Sequence, residues 1–280
     1  MPYFESSDQV SLYYQDWGTG PAVVFTHAWA LSSDQWTYQM PALLDAGLRC
    51  VAYDRRGHGR SDRPASGYEF DQLADDLATL IDRLDLRHIT LVGHSLGTRE
   101  IVRYLTRHGQ GRVDRLVLVA PTTPFLLRTA DNPDGWDSAV VDASLAALRA
   151  DVPGWCAASN QAGPYFGRTS RDVGGLVEWT TRMIVDTPVY VLLQTARNQI
   201  ATDMRGELPR ITKPTLIVHG DADASAPINL TARETVRLMP NARLVEYPGA
   251  GHGLYASEHE RVNADLLEFI RSEAPAARAA

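Results

Sequence analysis

Cysteine is scarce in this sequence. Its 280 residues include two cysteines, Cys50 and Cys156, and neither belongs to a CxxC or His-rich pattern. A disulfide framework and a metal site are therefore not expected, and both side chains are predicted to be free thiols, buried or half-buried.

Long apolar runs and excess positive charge are also missing. No apolar run approaches the roughly 20 residues of a membrane span, and the first residues lack a basic region followed by an apolar one, so we expect a cytoplasmic protein without a membrane segment. Lys and Arg number 27 against 34 Asp and Glu, which gives a formal net charge of −7. Neither nucleic acid nor an anionic membrane surface is therefore an expected partner.

Short apolar strands alternate with helical segments in both terminal parts of the chain. These strands are apolar on both faces, which is typical of a parallel sheet covered by helices, so the sequence predicts an α/β fold. Besides the strand that ends at Gly93, strands are predicted at 10–16, 22–26, 48–53, 113–119, 214–219 and 243–247. Helices are predicted at 35–46, 71–84 and 258–271, with another that ends near 239.

The middle of the chain follows a different pattern. It has no predicted buried strand, only helical segments at 138–148, 176–185 and 189–200. We therefore predict a core domain of residues 1–120 and 208–273, a helical cap of residues 121–207, and a flexible tail of residues 274–280. Six aromatic side chains of the middle segment belong either to the interior of the cap or to the substrate space beneath it: Trp136, Trp155, Tyr165, Phe166, Trp179 and Tyr190.

The sequence Gly93-His94-Ser95-Leu96-Gly97 lies between an apolar strand and a helix. This Gly-X-Ser-X-Gly pattern is that of a nucleophile elbow, a strained turn that presents its serine. A side chain at Gly93 or Gly97 would collide with the neighbouring strand or helix. We therefore predict that Ser95 is a nucleophile.

A serine hydroxyl needs a base, and that base needs a carboxylate to orient it. His252 lies in a glycine-rich loop after the last strand, from which it can reach the elbow, so it is the predicted base. His58, in a charged turn after an earlier strand, is the less favoured candidate. Asp221 and Asp223 both follow the strand at 214–219, and spacing alone does not choose the acid.

Five motifs in order resemble the α/β-hydrolase family, in particular its cofactor-free haloperoxidase and aryl-esterase group. They are His27-Ala28-Trp29, the turn 53–61, the elbow 93–97, His219-Gly220-Asp221-Ala222-Asp223 and Gly251-His252-Gly253. Over residues 10–271 this resemblance implies a mostly parallel central sheet flanked by helices, with a helical cap. It assigns the acid to Asp223 and a loop-structuring role to Asp221, and it implies neither a cofactor nor a metal.

The resemblance also implies an oxyanion hole formed by the backbone N–H groups of Trp29 and Leu96. Leu96 begins a helix, where the helix dipole favours a developing negative charge. From their positions in the motifs, several side chains are predicted to shape an apolar acyl or aryl pocket: Trp29, Thr122, Phe125, Ser225 and Leu254.

Four residues depart from the pattern of that group. Ala28 stands in place of a glycine, which affects the expected oxyanion geometry. Ala30 stands where haloperoxidase and perhydrolase members typically carry proline, which argues against peracid chemistry. Thr98 and Arg99 follow the elbow where small glycines are common, and Arg99 either points into solvent or pairs with a loop carboxylate.

The predicted function is cleavage of a carboxylic ester through an acyl-enzyme, with a small-molecule ester or lactone as the substrate. The same triad would serve a lactonase, an amidase, a carbon–carbon bond hydrolase, or a perhydrolase (haloperoxidase) that uses hydrogen peroxide in place of water. A non-catalytic ligand-binding protein is the alternative from another class, and the presence of all three triad residue types argues against it. Members of the group often form oligomers, so a homo-oligomer is compatible with the resemblance.

Overall fold

A sheet of eight strands forms the centre of the molecule. The computed structural model describes residues 2–161, 165–168 and 172–272, and the predicted tail at 274–280 lies outside them. The strands are β1 (Tyr3–Glu5), β2 (Ser11–Trp17), β3 (Ala22–Thr26), β4 (Arg49–Tyr53), β5 (Ile89–His94), β6 (Val113–Val119), β7 (Thr215–Gly220) and β8 (Ala242–Tyr247). Their order across the sheet is β1-β2-β4-β3-β5-β6-β7-β8. Since β2 is antiparallel to β1 and β4 and every other adjacent pair is parallel, the predicted mostly parallel sheet is confirmed.

Helices cover both faces of this sheet. They are α1 (Gln39–Asp45), α2 (Phe70–Arg83), α3 (Leu96–His108), α4 (Ser138–Ala150), α5 (Val152–Gln161), α6 (Gly174–Asp186), α7 (Val189–Ala201), α8 (Ala232–Leu238), α9 (Leu254–Ser257) and α10 (His259–Arg271). None of the helices in the described ranges is long and apolar enough to cross a membrane.

Alternate residues of the parallel strands β3 to β8 enter two separate cores. In β3, Val23 and Phe25 pack in one core and Val24 in the other, because side chains alternate between the faces of a strand. Helices α1 and α10 and the helices between β6 and β7 complete the first core, whereas α2, α3 and α8 complete the second. Burial of both faces explains why central strands such as β3 and β7 are predominantly apolar.

Two helix predictions differ from the structure. The helix predicted at 35–46 is a 3-10 turn (Ser33–Tyr38) followed by α1, because Pro41 has no N–H to continue a helix across this position. Helix α5 was not expected, since its sequence contains Pro153 and Gly154. Proline is tolerated there because it lies in the first turn of the helix.

Candidate active site

Ser95 lies in a tight turn between β5 and α3. Its φ of 55° and ψ of −118° fall in a sparsely populated region that costs about 1–3 kcal/mol for a residue other than glycine. The Ser95 N–H donates to Val119 O at 3.0 Å, which fixes the turn against the neighbouring strand. The strained turn predicted from the Gly-X-Ser-X-Gly pattern is therefore present.

Two glycines allow the backbone to pass closely on either side of Ser95. A Cβ on Gly97 would lie 2.4 Å from Thr26 O and 2.7 Å from Thr26 Oγ1, and one on Gly93 would lie 2.8 Å from Ile101 Cδ1. Thr26 O belongs to β3, in the middle of the sheet, so it cannot move aside without shifting the strand.

Gly97→Ala is therefore expected to lower the free energy of unfolding by about 1–3 kcal/mol, the usual range for an overpacked core. Urea denaturation measures this change. The matched control is Gly175→Ala, because Gly175 is an exposed glycine of α6 with open space at its Cβ position; there alanine should add up to about 1 kcal/mol of helix stability. Equal stability of Gly97→Ala and the wild type would contradict the packing argument.

His252 is held by a buried carboxylate. Its Nδ1 lies 2.7 Å from Asp223 Oδ2, while Asp223 Oδ1 accepts from the N–H groups of Ser225 and Ala226 at 2.8 and 2.7 Å. His219 Nε2 lies 3.1 Å from the same Oδ2. Burial alone would raise the pKa of Asp223, but the charge of His252 and hydrogen bonds from both histidines outweigh burial and hold the pKa well below its usual range. Asp223 is therefore ionised and keeps the proton of His252 on Nδ1.

Asp221 has a different environment. It is exposed, and its Oδ1 accepts from the Gly249 N–H at 2.6 Å, whereas Asp223 is only 5% exposed. The structure thus brings Asp223 to His252 and leaves Asp221 at the base of the loop that carries the histidine.

This histidine loop, residues 249–253, is fastened to residues 165–168. The Gly253 N–H donates to Tyr165 O at 2.6 Å, and the Arg168 N–H donates to Gly249 O at 2.7 Å. Gly167 forms an isolated antiparallel bridge with Ala250. The position of His252 therefore depends on backbone contacts with a segment that lies between β6 and β7.

Ser95 and His252 open onto one cavity of about 380 Å³. Among the described residues, a hydrogen bond links His252 to Asp223 but none links Ser95 Oγ to His252. In known serine hydrolases, a hydrogen bond between the serine and its histidine often shortens only in the complex with substrate. Both side chains face the same cavity.

The wall of this cavity is mostly apolar, and half of its residues lie in α4, α5, α6 and α7. Its residues are Ala28, Trp29, Leu31, Ser95, Thr122, Trp136, Ser144, Leu145, Leu148, Trp155, Cys156, Ser159, Tyr165, Ile184, Ala196, Gln199, Ile200, Ala224, Ser225 and His252. Of the predicted pocket residues, Trp29, Thr122 and Ser225 line it, whereas Phe125 and Leu254 do not. Leu254 is buried in the core, and the Phe125 ring packs under the Arg205 guanidinium.

Of the six aromatic residues predicted to lie in the cap interior or the substrate space, Tyr190 lies in neither, because it is 40% exposed. Trp136, Trp155 and Tyr165 line the cavity, whereas Phe166, Trp179 and Tyr190 do not. Helical spacing alone did not reveal which residues line the cavity, because it predicts an apolar face without saying what that face covers.

The loop after β3 carries the predicted oxyanion donor Trp29. Its backbone N–H donates to no acceptor among the described residues, and the N–H of Leu96 is one of those that a helix start leaves unpaired. Ala28 O, which belongs to the peptide unit of the Trp29 N–H, lies 2.8 Å from His27 Nδ1. Because His27 Nε2 accepts from the Arg55 N–H at 2.9 Å, Nδ1 carries the ring proton and donates it to Ala28 O. This bond fixes the plane of the peptide that presents the Trp29 N–H.

The two alanines of this loop adopt different conformations. The φ of Ala28 is not positive. Alanine therefore causes no left-handed backbone strain at this position. Ala30 has a φ of 61°, which proline cannot adopt because its ring holds φ near about −65°. The peptide after Trp29 therefore has an orientation that a proline at this position would not allow.

Arg99 occupies neither of its two predicted environments. It is fully buried and donates from Nε to Thr122 Oγ1 at 3.1 Å, from Nη1 to Thr202 O at 2.8 Å, and from Nη2 to Thr122 O. Burial lowers its pKa to about 9. The guanidinium is thus a buried support for Thr122 in the cavity wall. Thr98 Oγ1 donates to Ser95 O at 2.6 Å, which ties the first turn of α3 to the elbow.

His58 lies outside the cavity wall, and its Nδ1 lies 2.9 Å from Arg56 O. Burial, together with the charge of Arg55, lowers its pKa to about 3. In the unfolded chain the pKa is near 6.5, so His58 stabilises the fold fully above that pH. The stabilisation is lost as the pH falls from 6.5 towards 3, because only the unfolded chain takes up the proton.

His58→Asn should therefore reduce the dependence of stability on pH. Below pH 6.5 the wild type should lose about 1.4 kcal/mol more per pH unit than the variant. Urea denaturation at pH 6.0 and 5.0 measures both slopes. Parallel slopes for the two proteins would contradict a neutral buried His58.

Metal-binding clusters are not found in the described part of the chain, where no three His, Cys, Asp or Glu side chains are arranged to hold an ion. Cys50 and Cys156 are free and buried, as predicted from the sequence. Burial raises the pKa of Cys50 to about 12 and that of Cys156 to about 11. Both are therefore neutral thiols at physiological pH.

Comparison with known proteins covers nearly the whole chain. A family model described as alpha/beta hydrolase fold matches residues 21–258. A non-heme haloperoxidase from Rhodococcus erythropolis is 38% identical, with 97% of this chain and 100% of the relative aligned. A bifunctional esterase/perhydrolase from Acinetobacter calcoaceticus is 35% identical over the same shares. The solved structure of an esterase from Exiguobacterium antarcticum has a TM-score of 0.91 at 30% identity, covering 96% of this chain and 99% of that chain.

Proposed function

The chain belongs to the alpha/beta-hydrolase family, and we propose that within it the protein is a serine hydrolase that cleaves carboxylic esters through an acyl-enzyme. The observation that carries this proposal is the 2.7 Å contact between His252 Nδ1 and a buried Asp223, at a cavity that also exposes Ser95. A serine in an elbow, a base and an orienting carboxylate are the three groups that nucleophilic acyl transfer requires.

In the first half of the reaction, Ser95 Oγ attacks the ester carbonyl carbon while its proton passes to His252 Nε2. Asp223 stabilises the imidazolium and holds it by the Nδ1 proton. The tetrahedral intermediate then collapses, and His252 returns the proton to the leaving alcohol oxygen. In the second half, water attacks the acyl-enzyme with His252 as the base, which releases the acid and regenerates Ser95.

The carbonyl oxygen becomes negatively charged in both tetrahedral intermediates. The N–H groups of Trp29 and Leu96 are the donors proposed for this oxyanion, and loss of one such donor typically costs about 10²- to 10³-fold in kcat. The His27 bond to Ala28 O supports this role, since it fixes the peptide that presents the Trp29 N–H.

The cavity supports a small, apolar acyl or aryl group in the substrate. Its volume of about 380 Å³ and its tryptophan and leucine side chains suit a compact ligand with few polar groups. The helices over the cavity form part of the proposed cap, residues 121–207, and α4, α5, α6 and α7 supply half of the residues in this wall.

Perhydrolysis is the second candidate function, favoured by the relative named as a bifunctional esterase/perhydrolase. In that reaction hydrogen peroxide replaces water, attacks the same acyl-enzyme and leaves as the peracid, with Ser95 recovering its proton through His252. Ala30, with a backbone conformation that proline cannot adopt, argues for water as the acceptor.

A substrate panel tests the proposal. Purified protein is assayed with p-nitrophenyl acetate and butyrate, a γ-lactone, an aryl amide, and acetate with hydrogen peroxide and a halide reporter. We expect the highest kcat/KM for the esters. Faster turnover of the lactone, the amide or the peroxide mixture would replace the ester assignment by that reaction, and inactivity on every substrate would reject catalysis by this triad on small acyl compounds.

A further inference from the structure

Three hydrogen bonds join the loop after β3, residues 27–32 (the oxyanion loop), to the histidine loop through two buried side chains. The Ala28 N–H donates to Gln35 Oε1 at 2.9 Å, and Gln35 Nε2 lies 3.0 Å from His94 Nδ1. His94 Nε2 in turn lies 3.0 Å from His252 O. Gln35 and His94 are both fully buried. We call the hydrogen-bonded series Ala28–Gln35–His94–His252 the relay.

The two ends of the relay determine the direction of every bond in it. His252 O can only accept, so His94 Nε2 carries a proton, and the neutral ring then presents Nδ1 as an acceptor. Gln35 must therefore donate from its NH₂ group to His94 Nδ1, and its carbonyl oxygen then faces the Ala28 N–H. Burial, with the charge of His252 nearby, also holds the pKa of His94 well below its ordinary value. No member can flip or change its charge without breaking a bond.

The relay connects two loops that are far apart in the sequence. Ala28 precedes the proposed oxyanion donor Trp29, His252 is the proposed base, and His94 directly precedes Ser95. The His94 and His252 rings also lie 4.8 Å apart, centroid to centroid. A shift of either loop relative to the elbow would stretch a bond of the relay.

We propose that Gln35 and His94 are positioning residues that hold the oxyanion loop and the base at a fixed separation around Ser95. This inference rests on the proposed function, because the two loops need a common geometry only if Trp29 and His252 act on one substrate. Misplacement of reacting groups by about 1 Å can cost about 10²-fold in rate. Loss of the relay should therefore lower kcat more than it raises KM.

The experiment compares variants in the p-nitrophenyl ester assay. Gln35→Met and His94→Phe remove the middle of the relay while keeping side-chain bulk, and each should lower kcat by about 10- to 100-fold with KM within about threefold. His94→Gln can donate to His252 O and accept from Gln35, so it should recover most of the lost kcat. The double variant should be no slower than the slower single variant, because both act through one relay.

Gln39→Met is the matched control. Gln39 is also fully buried and donates to a backbone carbonyl, Tyr255 O, at 2.7 Å, but it lies outside the relay. Its variant should lose stability and keep kcat within about threefold. If Gln35→Met does not fold, Gln35→Glu keeps the shape and the Ala28 bond but sets an acceptor against His94 Nδ1, so kcat at pH 8 should still fall about tenfold or more.

The outcomes separate this inference from the proposed function. If Ser95→Ala is inactive while the relay variants match the wild type, or if Gln39→Met loses as much kcat as they do, the positioning role is overturned and the triad stands. If Ser95→Ala retains wild-type turnover, the proposed function fails and the relay inference fails with it. A selective loss of kcat that His94→Gln reverses supports the inference.

Discussion

Ser95→Ala is expected to reduce ester hydrolysis to the background rate, a loss of about 10⁶-fold in kcat if the serine is the nucleophile. Alanine removes the only atom of this side chain that can form the acyl bond, and it leaves the cavity and the buried core intact. Stopped assays with p-nitrophenyl acetate at high enzyme concentration measure the residual rate, and a thermal unfolding curve like that of the wild type establishes that the variant is folded.

Ser225→Ala is the comparison for this result. Ser225 also lines the cavity, but its contact with Asp223 uses the backbone N–H, which alanine retains. Its kcat should fall by less than about tenfold, since no bond of the acyl transfer passes through its hydroxyl. A residual rate in Ser95→Ala similar to that of Ser225→Ala would eliminate Ser95 as the nucleophile.

Asp223→Asn is expected to lower kcat by about 10⁴-fold with little change in KM. An asparagine amide facing His252 Nδ1 no longer favours the proton on that nitrogen, so Nε2 loses its role as the acceptor of the serine proton. The pair Asp223→Asn and Asp221→Asn is a direct comparison, because the two residues are neighbours in one loop. The exposed Asp221 accepts from the Gly249 N–H, and an asparagine oxygen can do the same, so kcat should stay within about threefold. If Asp221→Asn lowers kcat more than Asp223→Asn does, Asp221 is the acid that orients His252.

The sheet and the elbow could be predicted from sequence because each leaves a recognisable pattern within a short stretch of residues. Apolar runs on both faces require a covered parallel sheet, and the close approach of Gly97 to Thr26 requires a residue without a Cβ. The contact between His252 and an acid could also be predicted from sequence, since both residues follow neighbouring parallel strands that end at the same edge of the sheet.

Other features depended on contacts that no local pattern contains. Arg99 is buried because it meets the carbonyl of Thr202, 103 residues away, and a charged residue without a visible partner predicts an exposed side chain. The prediction that Phe125 and Leu254 line the pocket rests on motif positions, which indicate the end of a strand but not the direction of a side chain. Gln35 fell in a segment predicted as a helix, so nothing marked it as a buried polar group.

The hydrogen bonds between residues 165–168 and the loop 249–253 also limit which segments of this protein can be exchanged with those of relatives. An engineer who exchanges the segment between β6 and β7 to change substrate preference also removes the acceptor of the Gly253 N–H and the donor to Gly249 O. A grafted segment therefore has to reproduce both backbone bonds. Exchanges that leave residues 165–168 in place keep these bonds, and they are the ones from which active chimeras should be recovered.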